Sequence, residues 1–298
     1  MRSMFELAES DDNVILLTAD LGFGVFEEFS EKFPQQFLNV GVSEQNTIGI
    51  ASGLALEGRT IFIYSIGNFP TLRCLEHIRN DACYHNLNIN IVASGGGFSY
   101  GALGMSHHAT EDIAIIRALP GTSVLVPGTQ EESRCATKLL GSTEGVGYLR
   151  LDKSTAQEMP DRVVKIGNAQ RYREGDSVTL LCAGGILQEA LDAADSLAKE
   201  NIKCRVLSVF SVKPIDKNEI ILACEETGGV ITLEEHNVYG GLAGAVSEAC
   251  MLSNIWPKKF LSMSLNDSYS SIVGSQGYLR EYYKLDKNAI ITNVKDLL

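Results

Sequence analysis

The chain has 298 residues, of which 45% are hydrophobic and 21% charged, so it is long enough for two domains with hydrophobic cores and is not disordered in composition. Its 25 Lys and Arg residues against 37 Asp and Glu residues give a net charge of −12. This charge argues against a surface for nucleic acid or for an anionic membrane. The seven cysteines show no CxxC spacing, and therefore indicate neither a disulfide framework nor a zinc site.

Residues 1–13 (MRSMFELAESDDN) carry acidic side chains where a signal peptide needs an apolar run. No apolar stretch reaches the roughly 18 residues that a membrane-spanning helix requires. We therefore expect a cytoplasmic protein that does not enter a membrane.

Strands and helices alternate along the first half of the chain. The continuous apolar runs among these strands are typical of strands covered on both faces in a parallel sheet. The alternation predicts a doubly wound α/β architecture with right-handed crossovers. Strands are predicted at residues 14–18, 37–40, 60–66, 87–93, 123–126 and 147–151, and helices at 2–9, 26–33, 70–85, 110–118 and 131–140.

The segment at residues 37–58 (FLNVGVSEQNTIGIASGLALEG) combines a short strand, a turn and a helix rich in small apolar side chains. Glu44 stands at the start of this helix, where a carboxyl group can act as an acid or base on a ligand in the crevice at the strand ends. The helix dipole and a possible cap at Ser43 favour an acid there without any chemistry. The segment alone leaves both interpretations open.

The loop at residues 94–108 (SGGGFSYGALGMSHH) has three consecutive glycines at a strand end, which let the backbone approach a ligand closely. A flexible connector is the alternative. His107 and His108 favour a functional loop, because imidazoles can hydrogen-bond to hydroxyls or carbonyls. They do not indicate a metal site, since no Cys, Asp or Glu stands at a familiar ligand spacing.

Two cations, Arg150 and Lys153, follow the last predicted strand of the first domain and could bind a phosphate; a solvated strand end is the alternative. A polar segment at residues 154–175 predicts a linker, and we place the domain boundary between residues 158 and 159. The second domain is predicted to hold strands at 178–183, 205–210 and 229–233, a helix at 187–200, and a glycine-rich turn at 234–244 (EEHNVYGGLAG).

Several ordered motifs together resemble the C-terminal half of transketolase, from Asp20 to the end of the chain. They are TADLGFG (18–24), NVGVSEQN (39–46), GMSHHATEDIAIIRALPG (104–121) and the second-domain run SVFSVKPID with ITLEEHNVYGGLAGAVSE. Deoxyxylulose-phosphate synthases and the beta subunits of 2-oxo acid dehydrogenases share much of this pattern. The resemblance implies two doubly wound α/β domains: a pyrimidine-binding domain with a mainly parallel sheet, then a transketolase C-terminal domain with a mixed sheet.

The resemblance implies thiamine diphosphate as the cofactor and assigns roles to several residues. Glu44 matches the glutamate that hydrogen-bonds to the pyrimidine ring and activates the cofactor, and Phe69 lies where an aromatic side chain stacks on that ring. Asp20 and Asn68 are assigned to cofactor binding as well. Core packing is the alternative for Phe69.

The resemblance also implies a substrate channel. His107 matches a catalytic, substrate-binding histidine, with Ser106 in place of a threonine, and His108 follows it in the same channel. Arg150 and Lys153 lie where the family carries a cation for a sugar phosphate, and either could serve. Leu103 stands in place of a family aspartate that contacts a donor hydroxyl, a change that alters specificity. In the preceding loop, Gly96 replaces a cation of the synthases.

The chain contains no Gly-Asp-Gly motif for the diphosphate and its divalent ion. We therefore expect a split transketolase, in which a separate N-terminal subunit holds the diphosphate with Mg²⁺ or Ca²⁺, as an α2β2 heterotetramer with a homodimeric core. The expected reaction moves a two-carbon ketol unit from a ketose phosphate to an aldose. Alternatives are a beta subunit of a 2-oxo acid decarboxylase or a synthase-like enzyme, and a non-catalytic assembly or regulatory subunit.

Overall fold

A computed structural model describes residues 1–158 and 163–298. The predicted boundary after residue 158 adjoins residues 159–162, which lie outside the described residues. The elements before this point are α1 (Arg2–Ser10), β1 (Val14–Thr18), α2 (Glu27–Lys32), β2 (Phe37–Asn39), α3 (Glu44–Leu56), β3 (Thr60–Ile66), α4 (Leu75–His77), β4 (Ile89–Ser94), α5 (Asp112–Arg117), β5 (Thr122–Leu125), α6 (Gln130–Gly141) and β6 (Val146–Leu151).

The first sheet has seven strands in the order β10–β5–β6–β4–β3–β1–β2, where β10 is Ser211–Lys213. All neighbours are parallel except β10, which pairs antiparallel with β5. The central strands are apolar along their length because both faces of the sheet are covered. Ile48 of α3 and Ile78 pack on one face, and Phe29 of α2 and Leu140 of α6 pack on the other.

The predicted helix at residues 70–85 is irregular in the structure. A 3₁₀ turn at Leu72–Cys74 leads into the short α4, and a π-helical turn at Ile78–Cys83 follows. The buried residues of this segment (Cys74, Ile78 and Ala82) are spaced by four, so apolar periodicity alone could not distinguish these windings.

The second domain has a five-stranded sheet in the order β12–β11–β8–β9–β7. Only the β7–β9 pair is antiparallel, so the sheet is mixed, as predicted. Its elements are β7 (Gln170–Arg173), β8 (Val178–Ala183), α7 (Leu187–Ala198), β9 (Cys204–Ser208), α8 (Lys217–Glu226), β11 (Val230–Asn237), α9 (Leu242–Leu252), β12 (Phe260–Leu265), α10 (Gln276–Tyr282) and α11 (Lys287–Leu297).

Two predictions about the second domain are wrong in detail. The single strand expected at residues 205–210 ends at Ser208, and the chain then crosses to the first sheet as β10. The strand expected at residues 229–233 continues to Asn237, so Glu234 and His236 belong to β11 and not to a turn. The predicted fold class is confirmed: both domains are α/β and doubly wound.

One of the buried hydrophobic clusters extends across both domains. A single buried cluster runs from Val124 and Tyr148 of the first sheet to Ala223 of α8 and Val246 of α9. The two domains are therefore in extensive contact. In the described part of the chain, no helix is both long and apolar enough to cross a membrane.

Candidate active site

The predicted cofactor and substrate residues follow four neighbouring strands of the first sheet. Asp20 follows β1, Glu44 follows β2, Phe69 follows β3 and His107 lies in the loop after β4. Because β2 and β3 flank β1, the chain reverses direction across the sheet at this point. Such a switch opens a crevice at the carboxyl ends of the strands. The strand order therefore brings these loops to one edge.

Glu44 is the first residue of α3, and it is 7% exposed. Ser43 does not cap the helix with its side chain. The Oε2 atom of Glu44 instead accepts a hydrogen bond from Nη1 of Arg73 at 2.8 Å. The buried carboxyl group is thus held at the edge of the crevice by a cation that the sequence did not single out.

Arg73 and Phe69 connect Glu44 to the histidine loop. The guanidinium carbon of Arg73 lies 4.9 Å from the centroid of the half-buried Phe69 ring. That ring meets the His107 ring edge to face, with centroids 5.3 Å apart. Glu44, Arg73, Phe69 and His107 therefore form one continuous row of contacts. No signal marks Arg73 in the sequence, because it lies within an irregular helical segment.

His107 ends a 3₁₀ turn, Met105–His107, and is half-buried. Its Nδ1 atom lies 3.0 Å from Oγ of the exposed Ser106. With Nδ1 engaged, Nε2 is the ring nitrogen available to a ligand. On the same loop, the apolar side chains of Leu103 and Met105 are 56% and 54% exposed.

His108 has a different position from the one predicted. It is only 3% exposed, its Nε2 atom lies 3.1 Å from the carbonyl oxygen of Gly101, and its ring packs edge to face on Phe98. Nδ2 of Asn68 donates a hydrogen bond to the His108 carbonyl oxygen at 2.8 Å. The expectation that His108 lines a substrate channel is therefore corrected: the residue joins two loops beneath the surface.

Asp20 lies in the loop after β1 in a left-handed conformation, with φ of 57°. Its backbone N–H donates to Oδ1 of Asn39 at 3.0 Å, and the backbone N–H of Gly41 donates to the same oxygen at 3.0 Å. Asn39 therefore ties the loop of Asp20 to the segment that leads into α3. The exposed Asp20 carboxylate accepts a 3.3 Å hydrogen bond from Nδ2 of Asn39.

Arg150 is fully buried and cannot meet a substrate phosphate from its present position. Its Nε atom lies 3.0 Å from Oδ2 of Asp112, and Nη2 donates to the carbonyl oxygens of Ala109 and Glu235, each at 2.9 Å. Tyr148 also donates to Asp112 Oδ2, at 2.5 Å. The proposed phosphate role of Arg150 is corrected: the guanidinium joins the two domains.

Two more carboxyl groups surround this buried cation. Burial raises the pKa of Asp152 to about 7, against the opposing effect of Arg150. Burial also acts to raise the pKa of Glu235, but Arg280 and the Phe98 N–H outweigh it, so the pKa is lowered. Both oxygens of Asp152 accept from the backbone N–H of Gly185, at 2.8 and 2.9 Å.

Lys153 is exposed, in contrast to Arg150. It lies on a cleft of about 420 Å³ between the glycine-rich loop and residues 274–277 of the second domain. Its Nζ atom lies 6.0 Å from the ring centroid of Tyr100, and Leu103 is on the same cleft. Of the two predicted cations, only Lys153 faces an open cleft.

The glycine-rich turn predicted at residues 234–244 is structural in this chain. The Glu234 carboxylate accepts the backbone N–H groups of Leu242 and Ala243 at the start of α9, at 2.6 and 2.9 Å. His236 accepts the backbone N–H of Ala114 through Nε2 at 3.3 Å. These buried groups fix α9 and α5 against β11.

The crevice fits the pyrimidine end of the implied cofactor. The carboxyl group of Glu44 can share a proton with a ring nitrogen, and the aromatic face of Phe69 suits a flat ring; in this structure the Arg73 guanidinium makes both contacts. Among the described residues, no group of three or more His, Cys, Asp or Glu side chains could hold a metal ion.

Two doubly wound α/β domains, with a site at the switch point of the first, define the class of protein, and comparisons identify the family. The model of the transketolase pyrimidine-binding domain matches residues 2–158, and that of the transketolase C-terminal domain matches residues 167–290. The chain therefore belongs to the transketolase family, whose enzymes depend on thiamine diphosphate.

Individual relatives resemble the chain over nearly its full length. An apulose-4-phosphate transketolase subunit of Phocaeicola vulgatus is 32% identical and covers 97% of this chain, which covers 92% of it. A 6-deoxy-6-sulfo-D-fructose transketolase subunit of Clostridium sp. is 33% identical, and the match covers 97% of this chain and 89% of that subunit. A solved structure of a split-gene transketolase, described as an inactive beta4 tetramer, is 34% identical in sequence and has a TM-score of 0.89. The match covers 100% of this chain and 95% of that one. The chain is thus a transketolase C-terminal subunit of the split type.

Proposed function

We propose that this chain is the catalytic C-terminal half of a split transketolase that moves a two-carbon ketol unit from a ketose phosphate to an aldose. One observation carries the proposal: Glu44 and Phe69, linked by Arg73, lie with His107 in a single row of contacts at the switch point of the first sheet. An acid, a stacking face and a substrate-facing imidazole are thereby brought together.

Each of these residues has a definite task in the proposed reaction. Thiamine diphosphate, when bound, supplies a carbon nucleophile for addition to the carbonyl group of a substrate. Glu44 shares a proton with the pyrimidine ring, and its burial keeps water from competing for that proton. Phe69 orients the ring by stacking. His107 hydrogen-bonds through Nε2 to donor oxygens, with Ser106 fixing the imidazole through Nδ1.

We assign the phosphate of the sugar to Lys153 because this cation lies at an open cleft, whereas Arg150 is buried. The exposed Leu103 lies on the same cleft and makes its rim apolar. An apolar rim disfavours a donor hydroxyl at that position, because the hydroxyl loses its hydrogen bonds to water and gains none. The proposed substrate is therefore a ketose phosphate that has no hydroxyl group at the position facing this apolar rim.

The enzyme needs a second subunit in this proposal. A separate N-terminal chain with a Gly-Asp-Gly motif holds the diphosphate and its Mg²⁺ or Ca²⁺, in a cytoplasmic α2β2 assembly with a homodimeric core. The similarity to transketolase subunits and to a chain from a split-gene transketolase supports this arrangement. Asp20 and Asn68 complete the cofactor contacts.

Reconstitution tests the proposal. The chain is purified with the N-terminal subunit encoded in the same genome, and the pair is assayed with ketose phosphates plus an aldose, and separately with pyruvate. We expect ketol transfer from a ketose phosphate only in the presence of both chains and thiamine diphosphate. Activity with pyruvate alone favours a 2-oxo acid decarboxylase subunit and overturns the proposal. Turnover by the isolated chain overturns the role of the partner.

A further inference from the structure

We propose that the guanidinium of Arg73 occupies, in the uncombined subunit, the place of the cofactor's aminopyrimidine ring. The inference rests on the proposed function, and it concerns the same site. It assigns to this chain an internal stand-in that covers Glu44 and Phe69 until the cofactor displaces it.

The contacts of Arg73 are the basis of this assignment. Nη1 donates a 2.8 Å hydrogen bond to Oε2 of Glu44, and the guanidinium carbon lies 4.9 Å from the centroid of the Phe69 ring. A guanidinium and an aminopyrimidine are both flat, delocalised groups that can pair with a carboxyl group and stack on an aromatic ring: the guanidinium donates N–H, and the pyrimidine nitrogen shares the carboxyl proton. Arg73 therefore makes both contacts that the proposed function assigns to the ring.

The backbone around Arg73 is fixed, while its side chain is free to leave. Nε2 of Gln45, on α3, donates to the carbonyl oxygen of Arg73 at 3.1 Å, and Sγ of Cys74 donates to the carbonyl oxygen of Phe69 at 3.4 Å. The Arg73 side chain itself is 49% exposed, against 7% for Glu44. A rotation of the Arg73 side chain can thus free the carboxylate without moving α3.

The neighbouring thiol does not compete for the guanidinium. Burial raises the pKa of Cys74 to about 12, so this residue is a neutral thiol at physiological pH. The carboxyl group of Glu44 is the hydrogen-bond partner that holds Arg73 in place. Removing the cation should therefore leave Glu44 Oε2 and the Phe69 ring open to a ligand.

An experiment on the isolated chain tests this inference without catalysis. The probe is thiamine, which carries the aminopyrimidine ring but no diphosphate, and its Kd is measured by saturation-transfer NMR. We expect R73M to bind thiamine about ten-fold more tightly than the wild type, equivalent to about 1.4 kcal/mol. R73K keeps the positive charge but loses the planar guanidinium, so its Kd should lie between those of R73M and the wild type.

Two further variants control the measurement. R59M removes another arginine, whose Nη1 donates to Asp12 and Asn13 away from the crevice, and it should bind thiamine as the wild type does. The double variant E44Q/R73M should lose the gain in affinity, since the carboxylate is the ring's partner. A gain that survives in E44Q/R73M overturns the inference, as does a gain of equal size in R59M.

An R73M chain that binds thiamine no more tightly than the wild type also overturns the inference; if R73M does not fold, as judged by near-UV circular dichroism, the same criterion applies to R73K. The proposed function is tested separately. A reconstituted E44Q enzyme with full ketol-transfer activity overturns that function. An inactive E44Q enzyme together with unchanged thiamine binding by R73M overturns only the role given to Arg73.

Discussion

The backbone N–H of Phe98 donates a 2.8 Å hydrogen bond to Oε2 of Glu235, so a strand of the second domain holds the glycine-rich loop of the first. Nε2 of Gln276 and Nε of Arg280 donate to the same carboxylate. The loop that carries His107 is thus fixed from outside its own domain, and its conformation depends on close approach of the two domains.

Gly97 makes this approach possible, and we predict that G97A destabilises the protein. Gly97 has φ of 58°, and a Cβ atom there would lie 2.3 Å from Oε2 of Glu235. The matched control is G24A, since Gly24 has φ of 75° but no atom within 4 Å of the added Cβ. G24A should lower the free energy of unfolding by about 1 to 2 kcal/mol, the usual penalty for a residue other than glycine in the left-handed conformation.

We expect G97A to cost at least about 2 kcal/mol more than G24A, since it also displaces a buried, hydrogen-bonded carboxylate. Urea denaturation of both variants measures the difference. Faster amide hydrogen exchange at Phe98 in G97A should accompany it. Equal losses in the two variants contradict this account of the loop.

Glu44 should be essential for activity but not for folding. In the reconstituted enzyme we expect E44Q to lower kcat/KM by about 10² to 10⁴, the usual contribution of a positioned acid or base. The matched control is E57Q, because Glu57 is exposed at the other end of α3. Steady-state kinetics and thermal unfolding separate the effects. A similar loss of activity in E57Q contradicts a specific role for Glu44.

Arg150 and Lys153 should differ sharply when mutated. K153M is expected to raise KM for a phosphorylated sugar by about ten-fold with little change in stability, because it removes one exposed cation. R150M should instead cost about 3 to 5 kcal/mol of unfolding free energy, because Asp112 is left buried without its cation. K138M, on the distant helix α6, is the control for K153M. A stable R150M with a raised KM contradicts this division of roles.

Asp152 should make stability depend on pH. Its pKa in the folded protein is about 7, above its value in an unfolded chain of about 3.9. Between these values the folded state binds a proton that the unfolded state releases, so the contribution of Asp152 to stability falls as pH rises from about 4 to about 7. The slope of the unfolding free energy is at most about 1.4 kcal/mol per pH unit for one titrating group, and D152N should remove it.

Urea denaturation across this pH range measures the slope for wild type and D152N. The control is D195N: hydrogen bonding to Arg173 lowers the pKa of Asp195. Stability from a carboxyl with a lowered pKa is lost only at more acidic pH, so D195N should leave the slope above about pH 5 unchanged. An unaltered slope in D152N contradicts the assignment.

The strands of both sheets were largely predictable, because continuous apolar runs such as residues 14–18 and 178–183 have few alternatives to buried parallel strands. The β10 strand was not. It is three residues long, and its partner β5 lies in the other domain. Such a short segment carries no periodicity, and its pairing depends on tertiary contacts alone.

The site was predictable only where a motif marked it. Glu44, Phe69 and His107 follow strand ends that the sequence defines, and the strand order brings them together. Arg150 shows what the sequence could not supply. From the sequence, a cation at a strand end is interpreted as a phosphate ligand. In the structure, Ala109, Asp112 and Glu235, from distant parts of the chain, surround this cation.

The antiparallel β10 strand has a consequence for synthesis of the chain on the ribosome. The first sheet has all seven of its strands only after Ser211–Lys213 has been made, well into the second domain. Until then the edge of β5 presents unpaired backbone groups, which are a template for pairing with another chain. The nascent protein therefore completes the sheet that carries the candidate site late in translation.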